Sequence, residues 1–260
     1  LGSKILRKIQ GKSLRWGVAY QFSEKWDDIT LWRSKKISNP KNRFLADPFV
    51  VKKNGTHYCF VEDLDYRTKR GSISAYKITS YSCDFLGVVL EEDFHLSFPF
   101  IFEYQNELYM CPETHEKGEI RVYKCVNFPS KWEFHQTLMS GVSAADSMIF
   151  EHDKRWWLFT NIDKSGVGDH GCQLHIFCAD NPFSDEWIAH EKNPVIFNPL
   201  IARNGGLIFS QNEIYRVYQR QGFDMYGEAC GIARITTLST TEYIEENYSV
   251  IEPHFFKGIE

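Results

Sequence analysis

Apolar residues along this chain come in short runs broken by Asn, Gly, Asp and Gln, and the runs fall into pairs. Ala46-Asp47-Pro48-Phe49-Val50-Val51 is followed, across Asn54-Gly55, by Tyr58-Cys59-Phe60-Val61-Glu62. Ser97-Phe98-Pro99-Phe100-Ile101-Phe102 is followed, across Gln105-Asn106, by Tyr109-Met110-Cys111-Pro112-Glu113. Ala145-Asp146-Ser147-Met148-Ile149-Phe150 and Trp157-Leu158-Phe159-Thr160-Asn161 flank Asp153-Lys154, and Arg203-Asn204-Gly205-Gly206-Leu207-Ile208 and Tyr215-Arg216-Val217-Tyr218-Gln219 flank Gln211-Asn212. An apolar strand, a polar turn and an aromatic-rich strand describe a β-hairpin. The four hairpins align without gaps, with starts 51, 48 and 58 residues apart, the spacing of propeller blades.

Further strand-like runs lie between the hairpins: Ser72-Ile73-Ser74-Ala75-Tyr76, Ile120-Arg121-Val122-Tyr123 and Leu174-His175-Ile176-Phe177. They predict the outer strands of each blade, and no long amphipathic helix pattern competes with them. Trp16-Gly17-Val18-Ala19-Tyr20 and Ala229-Cys230-Gly231-Ile232-Ala233 remain. They predict a fifth blade built from both ends of the chain, which would hide the open sheet edges. The expectation is an all-β, five-bladed β-propeller closed by strands from both termini. It forms one domain over 15–260 after a basic lead-in at 1–14.

Composition narrows the function classes. Aromatic residues make up 15% of the chain, which suits pleated surfaces. The net charge of −4 and pI near 6.2 exclude the basic stripe of a nucleic-acid binder. The seven cysteines contain no C-x-x-C pair, which argues against a disulfide framework or zinc ribbon and for a reducing, cytoplasmic setting. No apolar run approaches a membrane span and no signal-peptide pattern opens the chain. The histidines are scattered without metal-ligand spacing, so no metal or cofactor is expected; a single cation in the central channel is the alternative.

The repeat has a geometric consequence. Residues equally far from a hairpin turn face each other, and Asp47 with Glu62, Phe98 with Glu113, Asp146 with Asn161, and Asn204 with Gln219 are each fifteen apart. If these hairpins are the inner ones, all four pairs lie at one level near a mouth of the channel. The predicted ring holds Asp47, Glu62, Glu113, Asp146, Asn161, Asn204 and Gln219. Asp47 and Asp146 could instead bond local backbone at strand entrances, but clustered carboxylates require a substrate, cation or arginine to offset them. Arg203 and Arg216 are available, and Arg203 is either a substrate clamp or a counter-ion. Tyr226-Gly227-Glu228 leads into the closing strands, with Glu228 aimed into the funnel or capping a strand at the surface. A polar funnel of this kind is expected to bind carbohydrate.

These residues carry two resemblances. Ala46-Asp47-Pro48, Asp146 and the hairpin plan resemble the furanosidase-type propellers of glycoside hydrolase families 43, 32 and 68. Along nearly the whole chain, Ala46-Asp47-Pro48-Phe49, Ser97-Phe98-Pro99-Phe100, Pro112-Glu113-Thr114 and Trp156-Trp157-Leu158-Phe159 resemble the N-terminal domain of glucosamine inositolphosphorylceramide transferases. Leu174-His175-Ile176-Phe177, Asn198-Pro199 with Ala202-Arg203, and Tyr226-Gly227 extend the match. The hydrolase resemblance implies that Asp47 is a general base and that Asp146 orients the substrate. Its general acid, a glutamate opening the fourth blade, is missing, because that place reads Arg203-Asn204-Gly205. Glu113 or Glu228 would then act as acid, with Glu62, Asn161, Arg203, Asn204, Gln219 and Tyr226 binding substrate. Two functions are expected from this: glycosidase or glycosyl-transfer chemistry on a glycan or glycolipid, or a non-catalytic module that positions sugar for a partner or fused transferase.

Overall fold

The structure is a computed structural model, and it describes residues 16–28, 30–222 and 227–252. The lead-in at 1–14 lies outside them. Four antiparallel sheets form the blades. The first contains β3 (Arg43–Lys53), β4 (Thr56–Asp65), β5 (Arg70–Ile78) and β6 (Cys83–Leu90). The second contains β7 (Ser97–Tyr104), β8 (Glu107–Glu113), β9 (Glu119–Asn127) and β10 (Lys131–Ser140). The third is β11 (Ala144–His152), β12 (Arg155–Ile162), β13 (Gln173–Ala179) and β14 (Ile188–Ala189), with β15 (Ile196–Phe197) also on β13. The fourth is β16 (Arg203–Ser210), β17 (Glu213–Arg220), β18 (Ala229–Leu238) and β19 (Tyr243–Ile251). β1 (Ala19–Tyr20) and β2 (Lys35–Lys36) make a separate two-stranded sheet.

The propeller is therefore all-β as expected but has four blades among the described residues, not five. The strands reserved for a fifth are used elsewhere. Ala229–Leu238 pairs along its length with Glu213–Arg220 and is the third strand of the fourth blade. At the other end, Ala19–Tyr20 pairs as a strand with Lys35–Lys36 and, among the described residues, with no blade. In place of a fifth blade, the described part of the segment from Trp16 to Ile37 straps the first blade to the fourth. The Tyr20 hydroxyl donates to the carbonyls of Thr79 and Ser82 in the first blade. Trp26 packs on Tyr215 and Tyr248 of the fourth, with ring centroids 4.9 and 5.4 Å away.

Burial follows position within a blade. Strand β12 is buried at seven consecutive positions, Trp156 to Ile162, because neighbouring blades cover both its faces. The outermost strand β19 has no fully buried residue. The main core runs through the second and third blades around Phe100, Met148, Leu158 and Ile176. Phe60, Ile73, Met110 and Trp132 fill the seam between the first and second.

Each inner hairpin carries a bulge near its base. In the first blade Ala46 faces Glu62 and Phe49 faces Phe60, so one extra residue is inserted between those pairs. The second and third repeat it between Ser97 and Phe100 and between Ala145 and Met148. In these three blades the bulge places Asp47, Phe98 and Asp146 in the left-handed region, at φ 48°, 47° and 49°. Such conformations in non-glycine residues are strained and tend to occur at functional sites. The fourth blade solves the same problem differently: Asn204 stays in the ladder opposite Tyr218, and the insertion falls on Gly205-Gly206.

Candidate functional site

The bulge shifts each pairing by one residue relative to simple hairpin counting. Glu62 faces Ala46 rather than Asp47, Glu113 faces Ser97, Asn161 faces Ala145, and Gln219 faces Arg203. The acidic residues converge all the same, because the left-handed turn at Asp47 and Asp146 redirects their side chains.

Arg203 is the hub. Its Nε donates to Asp146 Oδ2 at 2.6 Å, and its Nη2 lies 3.8 Å from Glu113 Oε2. One guanidinium from the fourth blade thus reaches carboxylates of the third and the second. Gln219 Nε2 adds a hydrogen bond to Asp146 Oδ2 at 3.3 Å and another to the Asn204 carbonyl at 2.8 Å. Asp47 Oδ2 accepts the Phe98 backbone N–H at 3.3 Å, tying the first blade to the second.

Two histidines complete the cluster. His115 Nδ1 lies 2.7 Å from Glu113 Oε1. His95 accepts the Gly71 backbone N–H on Nδ1 at 2.9 Å, which leaves its Nε2, 3.5 Å from Glu62 Oε1, to carry the ring proton. Gly71 makes that seat: a Cβ there would stand 2.9 Å from His95 Cε1 and 2.4 Å from the Leu96 carbonyl oxygen. The Glu116 carboxylate accepts the His95 backbone N–H at 2.9 Å and anchors the same loop. Sequence reasoning passed over both histidines. The usable signal was their place beside the hairpin ends, His115 two residues after Glu113 and His95 two before Ser97.

Four acids and one guanidinium in a buried space do not all ionise. Burial pushes Asp47 up to about 6, against the pull of Arg203 and with Glu113 adding to the rise. Burial also raises Glu62 well above the usual carboxylate range, reinforced by the charges of Asp47, Glu113 and Asp146. Asp146 is pushed well up by burial, with the Arg203 charge opposing. Burial works on Glu113 too, but the His115 hydrogen bond and the Arg203 charge outweigh it and hold its carboxyl at about 2. The site thus drives the proton affinities of two neighbouring acids apart, Glu113 downward and Glu62 upward.

Other expected members have different places. Asn161 is fully buried; its amide donates to the carbonyls of Gln173 and Ala202 and its oxygen accepts the Asn204 N–H. Asn204 is equally buried and donates to the Asp146 carbonyl at 2.9 Å. These two side chains join the third and fourth blades beneath the acids. Glu228 sits on the loop after β17, 44% exposed, with its carboxylate 3.5 Å from Arg220 rather than among the four acids. Tyr226 lies outside the described residues. Arg216 is fully buried and bonds Glu245 and the carbonyls of Ile201 and Ala202, so it braces the fourth blade.

Known proteins resemble this chain in sequence and in fold. Residues 19–258 match the family described as glucosamine inositolphosphorylceramide transferase 1, N-terminal. Glucosamine inositolphosphorylceramide transferase 1 of Arabidopsis thaliana is 38% identical over 213 residues, which are 79% of this chain and 27% of that protein. The Oryza sativa subsp. japonica protein of the same name is 34% identical over 212 residues, 79% of this chain and 28% of its own length. The chain spans about a quarter of the length of these relatives.

Solved structures share the fold at low identity. The Cellvibrio cellulosa α-L-arabinanase complexed with arabinohexaose has a TM-score of 0.56 at 14% identity, over 78% of this chain and 77% of that one. A family 117 glycoside hydrolase from the marine bacterium Zobellia galactanivorans has 0.57 at 11%, over 82% and 71%. The Bombyx mori GH32 β-fructofuranosidase has 0.57 at 12%, over 83% and 51%. With a family match spanning almost its whole length, this chain belongs to the family of glucosamine inositolphosphorylceramide transferase 1 N-terminal domains.

Proposed function

We propose that this propeller binds carbohydrate in the acidic cluster and presents it to the remainder of a longer glycosyl-transferring protein. The observation that carries the reading is the convergence of Asp47, Glu113, Asp146, Arg203 and Gln219, from all four blades: Arg203 and Gln219 bond Asp146, Arg203 pairs with Glu113 at 3.8 Å, and the charges of Arg203 and Glu113 act on Asp47. Sugar hydroxyls both donate and accept. A site offering carboxylate acceptors beside guanidinium and amide donors matches them, and its buried setting makes each bond count. The name shared by the relatives, glucosamine inositolphosphorylceramide transferase 1, couples an amino sugar with an inositol-phosphate lipid and points to a carbohydrate ligand. The part of those relatives outside the match is the proposed home of the transfer machinery.

Calorimetric titration tests this reading. Glucosamine, arabinofuranosides and a soluble glycosyl inositol phosphate headgroup are titrated into wild type, Asp47→Asn and Arg203→Met. Binding by wild type that is lost in Arg203→Met supports it. Equal heats for all three proteins would dismiss the cluster as the site.

One observation favours a second, catalytic reading. Carboxyl groups whose environments drive their proton affinities apart are how a site assigns acid and base, and Glu62 and Glu113 are so separated. Asp47, poised at about 6, would serve as base. Asn204 supplies no proton at the fourth blade, and Glu228 stands too far toward solvent to replace it directly. Turnover of aryl glycosides by wild type and its loss in Asp47→Asn would establish this reading over simple binding.

A further inference from the structure

We propose that His115 is the proton donor of this site, taking the role that the fourth blade leaves empty. The inference rests on the catalytic reading above, and it starts from the way the chain turns at the end of β8. After Glu113, Thr114 fastens its hydroxyl to the Glu119 carbonyl at 2.6 Å. A single 3-10 turn, His115–Lys117, is closed by Gly118 at φ 65°. The turn swings the imidazole back so that Nδ1 meets the Glu113 carboxylate two residues earlier, at 2.7 Å.

Access separates this imidazole from Glu113 and Asp146. The side chain of Glu113 is 9% exposed and that of Asp146 2%, while His115 is 35% exposed. A ligand approaching the cluster from that side meets the imidazole before either carboxylate. Nδ1 is held by Glu113, and among the described residues Nε2 makes no hydrogen bond, so the second ring nitrogen is left for a ligand. A histidine oriented by a carboxylate through one nitrogen and acting through the other is a standard acid–base arrangement.

The surroundings favour a charged ring. The hydrogen bond to Glu113 raises the proton affinity of His115, and the charges of Glu113 and Glu116 add to it; burial and Arg203 oppose. The two neighbouring histidines add little positive charge, since burial lowers both His95 and His170. His170 stands with its ring 5.4 Å from that of His115 and its Nε2 bonded to the Ser143 hydroxyl at 2.9 Å.

The step balances as follows. The C1–O bond of the glycoside breaks and its electron pair stays on the leaving oxygen, which takes the proton from His115 Nε2. The neutral imidazole keeps its Nδ1–H bond to Glu113. The oxygen of water or of an acceptor alcohol forms the new bond to C1 and gives its proton to Asp47. Proton exchange with solvent then returns Asp47 and His115 to their starting states.

The test uses a leaving-group series: dinitrophenyl glycosides, whose leaving group departs without a proton, and phenyl glycosides, which need one. Both sets are made on glucosamine, arabinofuranose and galactose. His115→Asn is expected to lose roughly 100-fold or more of kcat/KM on a phenyl glycoside, and about 10-fold or less on its dinitrophenyl partner. Added imidazole should restore part of the phenyl glycoside rate. Nitrogen NMR on wild type should show His115 titrating above the usual histidine range, and Glu113→Gln should bring it down. Equal losses on both leaving groups, or a His115 titration indifferent to Glu113→Gln, would overturn the assignment while leaving catalysis intact. No turnover of any glycoside by wild type would remove the catalytic reading and this inference with it, and the binding titration would then stand alone.

Discussion

Two arginines of the same hairpin, thirteen residues apart, end in buried carboxylate pairs yet serve different ends. Arg216 bonds Glu245 through two nitrogens, at 2.7 and 2.5 Å, and caps the carbonyls of Ile201 and Ala202. Its main partner belongs to its own blade, and the side chain is fully buried. Arg203 instead reaches out of its blade to Asp146 and Glu113, and it keeps a 13% exposed face. The first is a brace in which every charge is matched. The second sits where acids outnumber cations, so the surplus is met by protons or by a ligand. Charge matching, more than burial, separates the structural pair from the candidate site.

The largest expected effect tests that contrast. Arg216→Met leaves Glu245 buried without its partner and is expected to lose about 3–5 kcal/mol in urea unfolding. Arg203→Met should lose no more than about 1 kcal/mol, because Asp146 and Glu113 can take up protons instead. Equal losses in the two variants would break the comparison.

Next comes the seat of His95. Gly71→Ala drives a methyl against the Leu96 carbonyl and the His95 ring, and should destabilise by about 2–3 kcal/mol. His95→Ala made in the same background should recover little of it, since the carbonyl clash remains.

The surplus of acid also predicts a pH signature. Asp47, with a folded value of about 6 against 3.8 when exposed, holds a proton in the native state that the unfolded chain has lost. Its contribution is full below pH 4 and disappears as pH rises through 6. Asp47→Asn should therefore stabilise the fold by up to about 3 kcal/mol at pH 8 and by nothing at pH 3.5. Glu113 runs the other way: held at about 2 against 4.5, it stabilises above pH 4.5 and stops doing so as pH falls toward 2. Unfolding midpoints of Asp47→Asn and Glu113→Gln across pH 3–8 would show opposite slopes relative to wild type.

The smallest effect concerns the strap. Trp26→Ala removes the contacts with Tyr215 and Tyr248 from a half-buried position, for a loss of about 1 kcal/mol. Hydrogen exchange in β3 and β19 should rise while β12 stays protected, because only the seam between the first and fourth blades depends on this ring.

Much of this architecture was legible in the residue pattern. Hairpins such as Ala46 to Glu62 and Ala145 to Asn161 announce themselves by aromatic strands and Asn-Gly or Asp-Lys turns, and their repetition brings Asp47, Glu62, Glu113 and Asp146 to one level. The blade count was misread because Ala229–Leu238 has the same apolar, strand-like composition whether it opens a new sheet or extends an old one. Only pairing separates those outcomes, and pairing is a long-range property. The histidines escaped notice because each acts through a loop that folds back on a hairpin end, which no period in the sequence records.

The sequence by itself determined the repeat, the inner hairpins and the company of acids, since these depend on local strand and turn chemistry. The tertiary structure alone decided which members join the acidic cluster and which brace the blades. A one-residue bulge leaves no gap in an alignment of the blades, yet it turns Asp47 and Asp146 inward, while Gly205-Gly206 lets Asn204 sink into the seam with Asn161. Whether a polar side chain joins the acidic cluster or bonds backbone is settled by the neighbouring blade, whose contribution arrives from forty or more residues away.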